Sequence, residues 1–195
     1  MMTNLRLNAV LSAIDLINEQ DKNQIMSNGM LKPKELVYGH QMSDCLDQYW
    51  PHADELLKIA VRAQHIKRWQ IKRDEYETGK AGYLKWRKEL GKLHAQLTMD
   101  IMLEHGYSEE EAAQTAAIIR KEKFKTNTES QTLEDVACLV FLQHYFDDFS
   151  AKHDQEKVIN IVRKTWGKMS DVAHNIALSL TLPNHLATLV KKALA

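Results

Sequence analysis

Cysteine, proline and glycine are scarce in this 195-residue chain, which has two, three and seven of them. So little glycine and proline leaves too few turn residues for an all-β fold. Cys45 and Cys138 lie far apart, and Cys138 falls inside the apolar run Val136-Ala137-Cys138-Leu139-Val140-Phe141-Leu142. Both are therefore expected as free thiols in a reducing compartment. Charge of one sign is also missing, because 26 Lys and Arg balance 26 Asp and Glu. That balance excludes a globally basic coat for nucleic acid. The run at 136–142 is the longest apolar stretch and falls far short of the roughly 20 residues that span a membrane. The start Met1-Met2-Thr3-Asn4-Leu5-Arg6 has no apolar signal core. The expectation is a cytoplasmic protein with no membrane contact.

What the chain does contain is enough apolar material for one core, with 44% hydrophobic and 27% charged residues. Leu7, Val10, Leu11, Ile14 and Ile17 repeat every three to four residues and predict a first helix over about 4–20. Pro33, Pro51 and Pro183 each precede or open a periodic segment, where a missing N–H costs little, and read as helix starts. The stretch 70–82 loses its period and reads as the one substantial loop. From Tyr83 the period returns and runs to His105, with Gly106 as a left-handed cap. Ser108 and Glu111 form a capping box for a fifth helix to about 123. Thr132 with Asp135 is read as the cap of a sixth, apolar all round at Val136 to Leu142. A seventh is expected over about 153–180, with Ile159, Val162, Trp166, Met169, Val172 and Ile176 inward, and Asn184 caps a short last helix. No segment alternates with period two for long enough to predict a strand. The fold expected is all-α, a single irregular bundle of about seven to eight helices over residues 1–195.

Candidate chemistry lies where polar residues share a face with apolar ones. His94 is in step with Leu90, Leu97 and Ile101, and His65 follows Leu57 and Val61. Glu134 and Asp135 stand one turn before the apolar run, and Asp135 shares a face with Leu139, Leu142 and Phe146. Two imidazoles and two carboxylates meeting in a helical core suit a divalent metal of undetermined identity. The plainer alternative is a hydrogen-bonded core histidine at each position and a capping role for Asp135. Lys168-Met169-Ser170 resembles half of the signature loop of class I aminoacyl-tRNA synthetases, but it reads as mid-helix in a chain without strands and is set aside.

The order His65, His94, Asp135 in a helical domain resembles the HD-domain phosphohydrolases, where a His, a His-Asp dyad and a later Asp hold the metal. Ala95 stands where the dyad's Asp belongs, so Glu134 or Glu89 would have to substitute. A second resemblance covers nearly the whole chain. The segments 62–69, 81–87, 133–142 and 164–170, carrying Arg-Ala-Gln-His-Ile-Lys-Arg-Trp, Ala-Gly-Tyr-Leu-Lys-Trp-Arg, Leu-Glu-Asp-Val-Ala-Cys-Leu-Val-Phe-Leu and Lys-Thr-Trp-Gly-Lys-Met-Ser, are similar to the family catalogued as domain of unknown function 4202. That resemblance implies prolines where this chain has Lys72 and Glu77, hence a looser loop here, and it implies no reaction.

Between Lys58 and Lys92, eleven Lys and Arg face four acids, a local balance of +7 in a neutral chain. Segregated positive charge attracts phosphate. Trp69, Tyr76, Tyr83 and Trp86 are interleaved with it, and aromatic faces beside guanidinium groups suit a nucleobase. Arg62, Arg68, Arg73 and Arg87, with Trp69 or Tyr83, are the expected ligand-binding residues. The expected function is metal-dependent hydrolysis of a phosphoester in a nucleotide or another phosphorylated ligand. His65, His94 and Asp135 would hold the metal, Asp135 and Glu134 would be catalytic, and the metal would lower the pKa of a bound water. The rival is a non-enzymatic helical module that binds RNA or an acidic partner through the same basic segment.

Overall fold

A computed structural model describes the backbone from Met2 to Ala195 and the side chains from Leu5 onward. It is dominated by helix: α1 (Met2–Asn18), α2 (Lys34–Tyr49), α3 (Glu55–Ala63), α4 (Lys80–Glu104), α5 (Glu109–Ile119), α6 (Thr128–Val140), α7 (Phe146–Ala151), α8 (Gln155–Trp166), α9 (Asp171–Ser179) and α10 (Asn184–Leu194). The range expected as one domain divides into two compact units, Met1–Leu133 and Glu134–Ala195, with the division inside α6. Among the described residues no helix is long and apolar enough to cross a membrane.

In the first unit α3 is the central element and packs on α1, α2, α4 and α5. Ile59, Ala60, Val61 and Ala63 of α3 are completely buried, and the small side chains at 60 and 63 let neighbouring helices close in. Asp54, not Pro51, opens α3 by accepting a hydrogen bond from the Leu57 N–H at 2.8 Å. Pro33 and Pro183 do stand at helix starts, preceding Lys34 and Asn184. The capping box forms as expected: Ser108 Oγ accepts from the Glu111 N–H at 3.2 Å, while Glu111 accepts from the Ser108 N–H at 2.8 Å. Gly106 takes a φ of +82° just past α4, the role read for it.

Three readings are corrected. The absence of strands fails at 24–33, where β1 (Gln24–Ser27) pairs antiparallel with β2 (Met30–Pro33). The turn between them is Asn28-Gly29, both at positive φ, which is the backbone that a two-residue hairpin turn demands. Secondly, α6 begins four residues before Thr132, and Asn127 Oδ1 accepts from the Ser130 N–H at 2.7 Å at its start. Thr132 instead donates back to the Thr128 carbonyl at 2.9 Å from inside the helix.

The third correction lies in the second unit, where the helix expected over 153–180 breaks into α8 and α9 around Gly167 to Ser170. Asp135 holds the break. Its Oδ1 accepts from the Ser170 N–H at 2.8 Å and its Oδ2 from the Ser170 hydroxyl at 2.6 Å, while Ser170 caps α9 through the Ala173 N–H. His174 stacks on Trp166 at 4.0 Å and its Nε2 donates to the Trp166 carbonyl across the same break. Val172, expected inward, is 56% exposed because α9 starts a new phase. Lys168-Met169-Ser170 thus forms the turn between two helices.

Replacing Ser108 by Ala removes the side-chain half of the capping box and should cost about 1 kcal/mol of stability. A urea unfolding midpoint equal to that of the wild type would contradict the assignment of this cap.

Candidate functional site

The site is built on the turn that ends α3. After Ala63 the chain leaves helical geometry, and Lys67 adopts a φ of +53°. The Lys67 N–H is held at 3.0 Å by the Oδ1 of Asn18, a residue that is itself buried. His65 therefore lies on a fixed turn, not on the helix that its spacing suggested. His94 lies on α4 in step with buried Leu90 and Ile101, as its period predicted, with Leu97 of the same face half-buried, and is only 2% exposed. Its Nδ1 faces the carbonyl oxygen of Gln64 in the α3 turn. A carbonyl only accepts, so Nδ1 carries the proton and Nε2 presents a lone pair. That Nε2 is buried and has no hydrogen-bond partner among the described residues.

His65 is placed from three sides. Its ring stacks on Tyr38 of α2 at 4.0 Å and 13°. Its Nδ1 lies 3.1 Å from Glu35 Oε2, and its Nε2 lies 3.2 Å from Arg68 Nη1. A guanidinium can only donate, so Nε2 accepts from Arg68 and the Nδ1–H donates to Glu35. The His94 ring is 6.0 Å away and nearly edge-on. Glu35 is 5% exposed and was not among the expected site residues. The face count that singled out His94 also finds it: Glu35, Gly39, Met42 and Leu46 follow steps of four, three and four and are all buried.

Burial sets the electrostatics. It is the largest influence lowering His65 well below its ordinary value, and Arg68, Arg87, Lys121 and Lys34 act in the same direction. His94 falls to about 3, chiefly through burial and then through His65. Burial raises Glu35, with Arg68 and Lys34 pulling the other way. Burial lowers Arg68 while Glu35 supports its charge. Both imidazoles are therefore neutral at physiological pH.

These residues border a cavity of about 290 Å³. Its walls include six cationic side chains, Arg68, Arg87, Lys88, Lys92, Arg120 and Lys121, and no carboxylate. Gln64, whose Oε1 is buried without a partner among the described residues, lines it together with the two histidines. On the rim Lys92 pairs with Glu89 at 3.0 Å and Arg120 with Glu122 at 2.7 Å, while Arg87 donates to the Tyr83 hydroxyl at 3.2 Å. Arg68 also borders a second, open hollow of about 950 Å³, shared with Glu35, Trp69, Tyr76 and Arg73. There its guanidinium lies 4.7 Å over the Trp86 ring, and Trp86 is fixed by its Nε1–H bond to the Ile71 carbonyl at 2.9 Å.

Within the first unit the structure thus brings His65, His94, Arg68 and Arg87 together at the cavity, and Arg68, Trp69 and Arg73 at the second hollow. Arg62 is committed to Asp15 at 3.1 Å and to the Ser43 hydroxyl at 2.9 Å. Arg73 donates to the carbonyls of Tyr76 and Glu77 at 3.0 Å and so clasps the 70–79 loop. Trp69 lines the second hollow, and Tyr83 is exposed outside the cavity. In the second unit both Asp135 oxygens serve Ser170, and Glu134 pairs with Lys168 at 3.2 Å. Among the described residues no three His, Cys, Asp or Glu side chains gather to hold a metal ion.

Residues 8–190 match the family model described as "Domain of unknown function (DUF4202)". No curated protein and no solved structure matches the chain.

Two outcomes follow from this geometry. Asp135→Ala strips Ser170 of both its acceptors and should cost about 2 kcal/mol. A chelator should leave the wild type unaffected, whereas a matching loss on chelation would restore Asp135 as a metal ligand. The second concerns pH. A histidine whose folded pKa lies below its unfolded value of about 6.5 takes up a proton on unfolding, so stability is lost as pH falls from 6.5 toward the folded pKa. For His94 that window reaches down to about 3. It should add about 1.4 kcal/mol per pH unit to the slope of stability. In His94→Gln this part of the slope should vanish, and an unchanged slope would contradict a buried neutral His94.

Proposed function

For this chain, which belongs to the domain of unknown function 4202 family, we propose that the cavity beside His65 and His94 binds a phosphorylated small molecule or nucleotide and hydrolyses its phosphoester. The observation that carries this reading is the lining itself: six cations, no carboxylate, and a buried imidazole lone pair at His94 Nε2. Cationic side chains converging on a partly enclosed space favour a phosphate dianion and the charge that builds on it during transfer. In the step proposed, a water oxygen attacks phosphorus and passes a proton to His94 Nε2. The ester P–O bond breaks, and its leaving oxygen takes up a proton. A bound dianion offsets the surrounding cations and raises the basicity of both imidazoles toward the range useful for this work. Cys45 and Cys138 are both buried and neither is in a disulfide among the described residues, which agrees with the reducing, cytoplasmic setting expected.

A resident divalent ion does not suit the donors present. Both Nδ1 atoms are engaged, the His65 Nε2 lone pair faces Arg68, and the surrounding Lys and Arg repel a cation. The reading therefore routes no step through a metal, and the HD-like metal set of His65, His94 and Asp135 is not carried further. The rival reading as an RNA module is weakened because Arg62 and Arg73 of the basic segment are spent on protein partners.

Calorimetry with inorganic phosphate and turnover of p-nitrophenyl phosphate test this. Replacing Lys88, Lys92 and Arg120 together by Gln should weaken phosphate binding at least tenfold with little change in melting temperature, since exposed charges contribute little to folding. His94→Gln should lower turnover about a hundredfold while phosphate still binds. A wild-type protein that binds an RNA oligonucleotide but neither phosphate nor its esters would overturn the reading.

A further inference from the structure

Arg68 is poorly matched to its surroundings. A guanidinium carries five N–H donors. Among the described residues this one makes a single hydrogen bond, to the His65 Nε2, and its other contact is the face of Trp86. Among the described residues it has no carboxylate within ion-pair reach, although in the same unit Arg6 has two and Arg62 has one. Its side chain borders both hollows, whereas His65 borders only the cavity and Glu35 only the open hollow. Glu35, His65 and Arg68 thus form one hydrogen-bonded chain of carboxylate, imidazole and guanidinium, with the guanidinium covering the imidazole nitrogen that Glu35 leaves open.

From this arrangement we infer that Glu35 and His65 form a second proton-handling pair for the proposed hydrolysis, with Glu35 as the positioning residue, and that Arg68 latches the pair shut until an oxyanion draws its guanidinium away. The inference rests on the phosphate reading of the cavity. Phosphate oxygens accept two parallel bonds from a guanidinium, each charge-assisted and stronger than a bond to a neutral imidazole. The latch opens because the ligand offers Arg68 what the protein withholds.

Once Arg68 turns to the ligand, His65 Nε2 is bare, and Nδ1–H remains tied to the Glu35 carboxylate. The charged and titratable groups facing His65 are Glu35, Lys34 and Tyr38 from α2, Arg68 from its own turn, His94 and Arg87 from α4, and Lys121 beyond α5. Bound phosphate neutralises the cations in that set and leaves Glu35 as the nearest charge, so Nε2 takes a proton from solvent. His65 then gives that proton to the leaving oxygen as its bond to phosphorus breaks, while His94 receives the proton of the attacking water. Proton exchange of both rings with solvent restores the start, and the only net reactant besides the ester is one water. Two imidazoles 6.0 Å apart are divided in this way into a base without a carboxylate and an acid that has one.

The test is ¹⁵N NMR of the histidine rings in the full-length protein near pH 7, with the His65 signals assigned by their loss in His65→Gln. Without ligand, His65 Nδ1 should be protonated and Nε2 bare. Inorganic phosphate at saturation should protonate Nε2 and leave Nδ1 protonated. Arg68→Gln should weaken phosphate at least tenfold, and Glu35→Gln should keep phosphate affinity within about threefold while abolishing protonation of Nε2. If Glu35→Gln does not fold, the wild-type titration and Arg68→Gln decide. Phosphate that binds with both His65 nitrogens unchanged would overturn the latch and leave the phosphate reading standing. Absence of any phosphate binding would overturn both.

Discussion

The hydrogen bond from His94 to the carbonyl of Gln64 is the contact on which the rest of the site depends. It ties α4 to the turn that ends α3, at a point where the turn is also gripped from α1 by Asn18. Because a carbonyl can only accept, the bond decides which nitrogen of His94 is protonated and leaves the other bare, on a residue that lines the cavity. The same turn sets His65 between Tyr38 and Glu35 on one side and Arg68 on the other. One short irregular segment after a helix thus positions both imidazoles.

Charge and burial act against each other here in a way that suits an anion. Burial keeps the histidines neutral and lifts Glu35, while Arg87, Lys88, Lys92 and Arg120 around the cavity are exposed to solvent. A neutral floor under a cationic rim stores little repulsion of its own and gains most when a dianion enters. The local excess of +7 between Lys58 and Lys92 is the source of that rim, although Lys121 and Arg120 come from outside it.

Much of the fold was legible in the chain because helices announce themselves locally. The three-to-four-residue period, Ser108 with Glu111, and Gly106 depend only on near neighbours. The hairpin at 24–33 was not, because its strands are four residues long and carry Met26, Met30 and Leu31 outward, so no apolar alternation marks them. Only Asn28-Gly29 signalled it. The break between α8 and α9 was hidden for a different reason: Val162, Trp166 and Met169 keep one period across it, and what stops the helix is Asp135, 35 residues away in sequence. For the site, inward-facing His94 was legible from its helix face. The pairing of His65 with Glu35 spans 30 residues and was not, nor was the diversion of Arg62 and Arg73 to internal partners. A charge count records how many cations a segment has and says nothing of which ones the protein uses itself.

The most direct measurement is a crystal structure of the protein soaked with tungstate, an oxyanion located by its anomalous signal. The account predicts a peak in the cavity within hydrogen-bond reach of Arg68 and Arg87, with the Arg68 guanidinium moved off His65. Tungstate found only on the outer surface, with Arg68 still bonded to His65 and the cavity holding water alone, would contradict it.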